Sequence, residues 1–176
     1  MNRRTFFSCS AALLVAAVSL SADSVRIVPI VNERQVLVNV DMADVYSDDV
    51  RELISSGLRT TFTYDIELRM LVAAWVDRTI VTTTVSMTDE YDNLTRRHNL
   101  TRTVDGRIED AIVTDDETDV RRWLTAIHRL PLCATTKLER NRDYYVRVTA
   151  RQRPQRNFPF GWTAKISGQA KFTFVP

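Results

Sequence analysis

The sequence predicts a mainly β, α+β domain: an antiparallel sandwich or strongly curved sheet of about seven or eight strands, with two short helices packed on it. Several segments alternate apolar and polar residues with a period of two, which is typical of strands with one buried and one solvated face. Asp105 and Gly106 lie between two such segments and are a strong hairpin signal. Two other segments place apolar residues at helical spacing behind good N-caps.

The clearest strand covers residues 61–71, where Phe62, Tyr64 and Ile66 fall on one side and charged or hydroxyl residues on the other. Turns are expected at 32–34 and 91–93, where polar residues separate the alternating segments. In chain order, the predicted strands cover residues 25–31, 36–42, 61–71, 79–88, 94–103, 107–113, 144–151 and 170–174.

The first predicted helix starts after Ser47, a good N-cap, and ends at Gly57. The second begins at residues 114–117, which have capping-box spacing, includes Ile127 in its apolar face and stops at Pro131. Because both helices are short and apolar on one side only, both must pack on the sheet. No linker or internal repeat interrupts these elements, so residues 23–176 are predicted to form one domain.

The N-terminus predicts export. Arg3 and Arg4 precede an apolar stretch, residues 6–20, and small residues follow up to Ala22, which is the order of a secretory signal peptide. The apolar stretch is short for a bilayer span of ~20 residues, which favours cleavage over retention as an anchor. We therefore expect residues 1–22 to be a signal peptide and the remaining chain to be periplasmic or secreted, with no transmembrane segment. The adjacent arginines fit either a twin-arginine signal or an ordinary one.

Composition argues against several classes of function. The formal net charge is +2, and two of the arginines belong to the signal, so the remaining chain is close to neutral. Since a nucleic-acid-binding domain would be strongly basic, no nucleic-acid partner is expected. The four glycines are scattered, so no phosphate-binding loop is recognisable. With two histidines and no Cys-x-x-Cys spacing, we expect no metal site and no cofactor.

A small enzyme is the alternative class. Its sharpest candidate is a thiol nucleophile at Cys133 with His128 as base, so the alternative is a thiol- or His-dependent hydrolase. Cys133 follows Leu130-Pro131-Leu132, however, and we expect these apolar neighbours to enclose it and raise its pKa. His98 lies on an alternating segment and His128 at the end of the second predicted helix, so we assign both a structural role.

A basic stripe is a better candidate for function. Arg147, Arg151 and Arg153 share the outward side of one predicted strand. Such a stripe suits an anionic glycan, a lipid headgroup or an acidic envelope protein. The alternative is cross-strand pairing of these arginines with Asp65 and Glu67.

The segment that follows this strand, residues 153–162, is a second candidate. Its prolines, aromatic rings and flanking arginines are typical of a binding edge. The rings also alternate strictly, which fits an alternative in which they close one end of the core. We therefore expect a non-enzymatic accessory domain that binds an envelope partner. The candidate binding residues are Arg147, Arg151, Arg153, Arg156, Phe158, Phe160 and Trp162.

Taken together, several segments resemble an exported bacterial family, domain of unknown function 4390 (DUF4390). They are the helix and strand at 48–58 and 62–69, the Tyr-Asp-x-Leu-Thr-Arg turn within 89–96, the strand at 144–151 and the closing residues 162–176. The resemblance implies export and a β-rich fold, and it brings no activity, cofactor or catalytic residue. Gly168 and Ala170 are smaller than the residues we expect in the closing strand.

Overall fold

A computed structural model describes residues 25–32, 34–153 and 165–175. In these ranges, nine strands form two antiparallel sheets around one core, and two α-helices pack against them. The predicted mainly β, α+β class is confirmed. The strands are β1 (Val25–Val31), β2 (Gln35–Met42), β3 (Thr60–Met70), β4 (Arg78–Asp92), β5 (Arg97–Val104), β6 (Arg107–Thr114), β7 (Ala126–Ala134), β8 (Arg142–Arg153) and β9 (Lys165–Phe174). The helices are α1 (Asp48–Ser55) and α2 (Glu117–Thr125).

The smaller sheet has three strands in the order β1-β2-β7, and the larger has six in the order β6-β5-β4-β3-β8-β9. The two sheets meet along one side, where β1 contacts β9. On the other side the six-stranded sheet extends further, and α2 packs on β4, β5 and β6 as well as on β7. The smaller sheet and α2 therefore cover one face of the larger sheet. We call the opposite face, which presents the polar side chains of β3, β8 and β9, the outer face.

The core follows from the period-two pattern. Tyr64 and Ile66 of β3 and Val38 of β2 are fully buried between the sheets. Burial of such side chains contributes about 1.5–3 kcal/mol each, so the alternating segments drive the sandwich to form. The Tyr64 hydroxyl donates to the Leu124 carbonyl at the end of α2, which joins the helix to the central strand. Burial raises the pKa of Tyr64.

The first helix forms as predicted. The Ser47 hydroxyl accepts a hydrogen bond from the Val50 amide at 3.4 Å, which satisfies one of the free amides of the first turn. Gly57 follows the helix with φ of 82° and donates to the Ile54 carbonyl at 2.8 Å. Because this left-handed conformation strains other residues, the glycine fixes where α1 ends.

The start of the second helix differs from the prediction. The N-cap is Asp116, whose carboxylate accepts a hydrogen bond from the Thr118 amide at 2.7 Å. Thr114 belongs to β6, and its hydroxyl accepts from the Asp116 amide at 3.1 Å. The predicted capping box is therefore wrong, since the aspartate provides the cap one residue before the helix.

The end of the second helix was also predicted wrongly. The helix stops at Thr125, and both His128 and Pro131 lie in β7. Ile127 and Leu130 lie opposite β2 and face the core, so these residues are buried by sheet pairing instead of by a helix. Pro131 is tolerated because β7 is an edge strand, where a missing amide donor need not break a ladder.

Two turns show why the hairpins close where they do. Asp105 and Gly106 have φ of 48° and 80°, the two consecutive positive values of a type I′ turn, so this hairpin prediction is confirmed. The turn after β4 lies later than predicted, because β4 continues to Asp92. The Asp92 carboxylate accepts from the Leu94 amide at 2.8 Å and so starts that turn.

The small residue at Gly168 has a packing reason. A Cβ at this position would lie 2.5 Å from Cγ1 of Val25 and 3.2 Å from Cδ1 of Ile27. Both neighbours belong to β1, so the glycine allows the smaller sheet to approach β9. The sequence predicts a bulkier residue there, and the close approach of the sheets explains the difference.

Candidate functional site

The outer face presents the polar side chains of β3, β8 and β9. The register places Glu67 opposite Arg147, and Arg147 opposite Gln169 on the next strand. Arg151 likewise lies between Thr63 and Lys165. The charged residues of this face whose side chains the structure describes are Asp65, Glu67, Arg69, Asp143, Arg147, Arg151, Lys165 and Lys171. Cations therefore outnumber carboxylates on the three strands.

Arg151 is neutralised within the face. Its guanidinium forms a salt bridge with the Asp65 carboxylate on the adjacent strand. Asp65 also accepts a hydrogen bond from the Thr84 hydroxyl at 3.3 Å. The cross-strand pairing that the sequence offered as the alternative thus holds for this arginine.

Arg147 keeps its charge available. Its guanidinium carbon lies 5.4 Å from the centre of the Tyr145 ring, a cation–π contact. Glu67, although opposite in register, lies 3.7 Å from the Arg69 guanidinium. In the part of the chain that the structure describes, Arg147 has no carboxylate within salt-bridge distance. Its charge is therefore free to meet a partner.

The lysines of β9 extend the positive charge to the edge of the sheet. Lys165 and Lys171 are exposed, and among the described residues neither forms a salt bridge. Lys171 lies opposite Tyr145, which precedes Arg147 by two residues on β8. A partner that approached this side would meet three cations on two neighbouring strands, none of them in a salt bridge with a described residue.

A second polar site lies inside the domain. The Asp89 side chain is fully buried, at 0% exposure, and its carboxylate lies 2.9 Å from Nδ1 of His98, which is 13% exposed. The Tyr91 ring packs against the imidazole with 4.6 Å between ring centres. The second oxygen of Asp89 is buried and has no hydrogen-bond partner among the described residues.

Burial and charge act in opposite directions on the carboxyl of this pair. Burial raises the pKa of Asp89, while the hydrogen bond and charge of His98 lower it. Burial also raises the pKa of nearby Tyr46, with further contributions from the carboxylates of Glu117 and Asp89. Within the described ranges, His98 forms no hydrogen bond with a hydroxyl or thiol.

The family model described as Domain of unknown function (DUF4390) matches residues 19–156. The chain belongs to the DUF4390 family. The match runs from before β1 to beyond the end of β8, so Arg147 and Arg151 lie inside it, while Lys165 and Lys171 of β9 lie outside it. Searches of curated proteins and of solved structures returned no match.

In this DUF4390 domain, the predicted thiol and histidine do not form a reactive pair. Cys133 is partly buried against the core, and this burial raises its pKa, whereas a nucleophilic thiol needs a lowered one. His128 is exposed on β7, which corrects its predicted position at a helix end. No hydrogen bond joins the two side chains in the described structure.

His128 lines a small cleft between β6 and β7. The cleft measures about 240 Å³ and is also lined by Arg102 and Arg129. The Arg102 guanidinium carbon lies 4.4 Å from the centre of the Trp123 ring, which fixes the cation at the cleft wall. Ligand pockets usually span about 300–1,000 Å³, so this cleft is small for a substrate site.

The remaining predicted site residues fall outside the described structure. The backbone of Arg153 ends β8, but its side chain is not described. Arg156, Phe158, Phe160 and Trp162 lie outside the described residues. The proposed binding edge at 153–162 therefore stays a prediction.

Proposed function

We propose that this chain is an exported, non-enzymatic accessory domain that binds an anionic partner in the bacterial envelope through the outer face. The observation that carries the proposal is a set of three cations on neighbouring strands, Arg147, Lys165 and Lys171, that form no salt bridge with any residue the structure describes. A flat face with excess positive charge attracts anionic surfaces and steers their approach. The candidate partners are an acidic envelope protein, an anionic glycan and a lipid headgroup.

Three features support binding over hydrolysis. The pKa of Cys133 is raised, and among the described residues His98 bonds to a buried carboxylate and not to a hydroxyl or thiol. The cleft beside His128 is small. A hydrolase needs a nucleophile and base within hydrogen-bond reach at the wall of a pocket. The outer face needs no such arrangement, since charge and exposed area are enough for association.

Export predicts a shortened chain. The apolar stretch that ends in small residues near Ala22 predicts cleavage, so the protein recovered after export should begin near residue 22 or 23. Intact-mass analysis of that protein measures this directly. A mass that includes Arg3 and Arg4 would show that the N-terminus is retained as an anchor.

The binding proposal predicts a specific loss in a triple variant, Arg147→Ser, Lys165→Ser and Lys171→Ser. These side chains form no salt bridge in the described structure, and the contact of Arg147 with Tyr145 contributes about 0.5–1 kcal/mol, so the free energy of unfolding should fall by about 1 kcal/mol or less. Binding to native envelope vesicles, measured by co-sedimentation, should weaken by about tenfold or more, because three favourable charge interactions are lost.

A matched control removes the same charge elsewhere. Arg26, Arg34 and Arg107 are exposed, lie outside β3, β8 and β9, and form no salt bridge in the described ranges. Their joint replacement by serine should leave vesicle binding unchanged. Equal losses in the two triple variants would show that only net charge matters, and no loss in the first would remove the outer face as the binding surface.

A further inference from the structure

The loop between β3 and β4 exposes a continuous apolar tip. Seven consecutive residues, 70–76, are apolar, and the last four of them, 73–76, are exposed. Trp75 is 82% exposed and Val76 74% exposed. We call residues 73–76 the apolar tip. A run of exposed apolar residues of this length weakens solubility unless it serves binding.

Hydrogen bonds hold the base of this loop in one shape. The Asp77 carboxylate accepts from the Val72 amide at 3.3 Å and from the Tyr145 hydroxyl at 2.9 Å. The Arg69 guanidinium donates to the Asp77 carbonyl at 3.0 Å, and the Leu71 amide donates to the β8 backbone. The apolar tip is therefore fixed in position before any partner binds, which reduces the entropy cost of association.

The turn at the tip itself costs energy. The Trp75 amide donates to the Val72 carbonyl at 3.2 Å, which closes a β-turn. Ala74 occupies its third position with φ of 59°, a left-handed conformation that costs a non-glycine residue about 1–2 kcal/mol. The fold thus sustains a strained residue and keeps the indole in solvent, where it gains nothing from burial.

Cations surround the base of the tip. Arg78 and Arg142 share the Glu139 carboxylate at 2.7 and 3.7 Å. Tyr145 connects the base to the outer face, where it contacts Arg147 and lies opposite Lys171. Cations at this end of the domain are Arg69, Arg78, Arg142, Arg147 and Lys171, and carboxylates are Glu67, Asp77, Glu139 and Asp143. Cations exceed carboxylates by one in this set, and Arg147 and Lys171 have no salt-bridge partner among the described residues, which suits a negatively charged surface.

We propose that the apolar tip inserts into the interface of an anionic phospholipid bilayer, with Trp75 and Val76 among the headgroups and the surrounding cations on lipid phosphates. Tryptophan is favoured at this depth because its ring is apolar and its N–H remains hydrated. A few apolar residues beside positive charge are sufficient for shallow, reversible attachment. A sugar site would pair a ring with polar neighbours, whereas the exposed neighbours of Trp75 within the tip are apolar.

This inference rests on the proposed function and names its partner. The test compares co-sedimentation with vesicles of phosphatidylglycerol and phosphatidylcholine and with vesicles of phosphatidylcholine alone. All proteins are prepared in the same way, so that any N-terminal residues are common to them. The test variant is Trp75→Ser with Val76→Ser, and both residues are exposed enough that its melting temperature should match the wild type.

The matched control is Leu94→Ser with Ile108→Ser. These residues are 95% and 73% exposed. Leu94 lies in the turn after β4 and Ile108 lies in β6, so the control removes exposed apolar groups away from the tip. We expect the wild type and this control to bind the anionic vesicles, with a blue shift of tryptophan emission. We expect the tip variant to bind them about tenfold or more weakly, because the transfer of two apolar side chains is lost.

The outcomes separate the two proposals. Vesicle binding that survives the tip variant, or wild-type protein that ignores anionic vesicles, overturns bilayer insertion. If in that case the triple variant Arg147→Ser, Lys165→Ser and Lys171→Ser still weakens binding to native envelope vesicles, the proposed function stands with another partner. A third outcome is that the tip variant loses binding while the triple variant still binds both the anionic vesicles and the native envelope vesicles. The tip is then the contact and the outer face is not.

Discussion

Replacing His98 with alanine should lower the free energy of unfolding at pH 7 by about 3–5 kcal/mol, because the variant leaves the fully buried Asp89 carboxylate without its partner. The second oxygen of Asp89 already has no hydrogen bond among the described residues, so no other group is placed to take over. Thermal and urea unfolding should both show the loss, with a fall in melting temperature of about 10 °C or more.

The stability lost in the His98→Ala variant should depend on pH. Burial raises the pKa of Asp89 above the ordinary 3.8, so its contribution is most favourable at low pH and is lost as pH rises through the folded-state pKa. The deficit of the His98→Ala variant should therefore shrink as the pH falls from 7 towards 4. A loss of stability that stays constant from pH 7 to pH 4 would mean that it does not come from the buried charge of Asp89.

A neutral partner supplies the control for the His98 variant. Asp89→Asn keeps a side chain that can hydrogen-bond to His98 but carries no charge, so it should cost less than His98→Ala. Adding Asp89→Asn to His98→Ala should recover part of the lost stability, because the uncompensated charge disappears. No recovery would contradict the electrostatic explanation and leave only packing.

Truncation of Tyr64 to alanine should cost about 3–5 kcal/mol, since it empties the centre of the core on the central strand. Tyr64→Phe is the matched variant, because it keeps the ring and removes only the hydroxyl that donates to the Leu124 carbonyl. It should cost about 1–3 kcal/mol, as expected for a buried acceptor that loses its donor. Chemical denaturation measures both.

The two variants test different links. If Tyr64→Phe were neutral while Tyr64→Ala was severe, the ring would be the whole contribution and the connection to the end of α2 would be dispensable. If both were neutral, the assignment of β3 as the centre of the core would be wrong.

The sequence was sufficient to predict those elements whose conformation depends on one local feature. The strict alternation around Tyr64 reports one-sided burial directly, and Asp105-Gly106 has few alternatives to a type I′ turn. The segment after Leu124 failed because Ile127 fits both a helical face and an inward strand position. Its pairing with β2, distant in sequence, decided between them, and no local pattern carries that information.

The candidate site was predictable to a similar degree. The parity of Arg147 and Arg151 placed both on one face, but only the side-chain contacts show that Asp65 pairs with Arg151 and that Glu67, opposite Arg147, turns to Arg69 instead. The pairing of Asp89 with His98 had a detectable signal, a carboxylate at an inward strand position. The apolar run that ends at Trp75 also stands out in the sequence, yet the run alone does not distinguish a buried strand end from an exposed tip.

The most direct test of the binding face uses the distribution of lysine. The whole chain contains three lysines, of which Lys165 and Lys171 lie on the outer face and Lys137 lies in the turn after β7. Mass spectrometry of lysine acetylation, with and without native envelope vesicles, reports the protection of each amine. We predict that Lys165 and Lys171 become protected on binding while Lys137 continues to react. Bound protein with Lys165 and Lys171 as reactive as in the free protein would contradict the account.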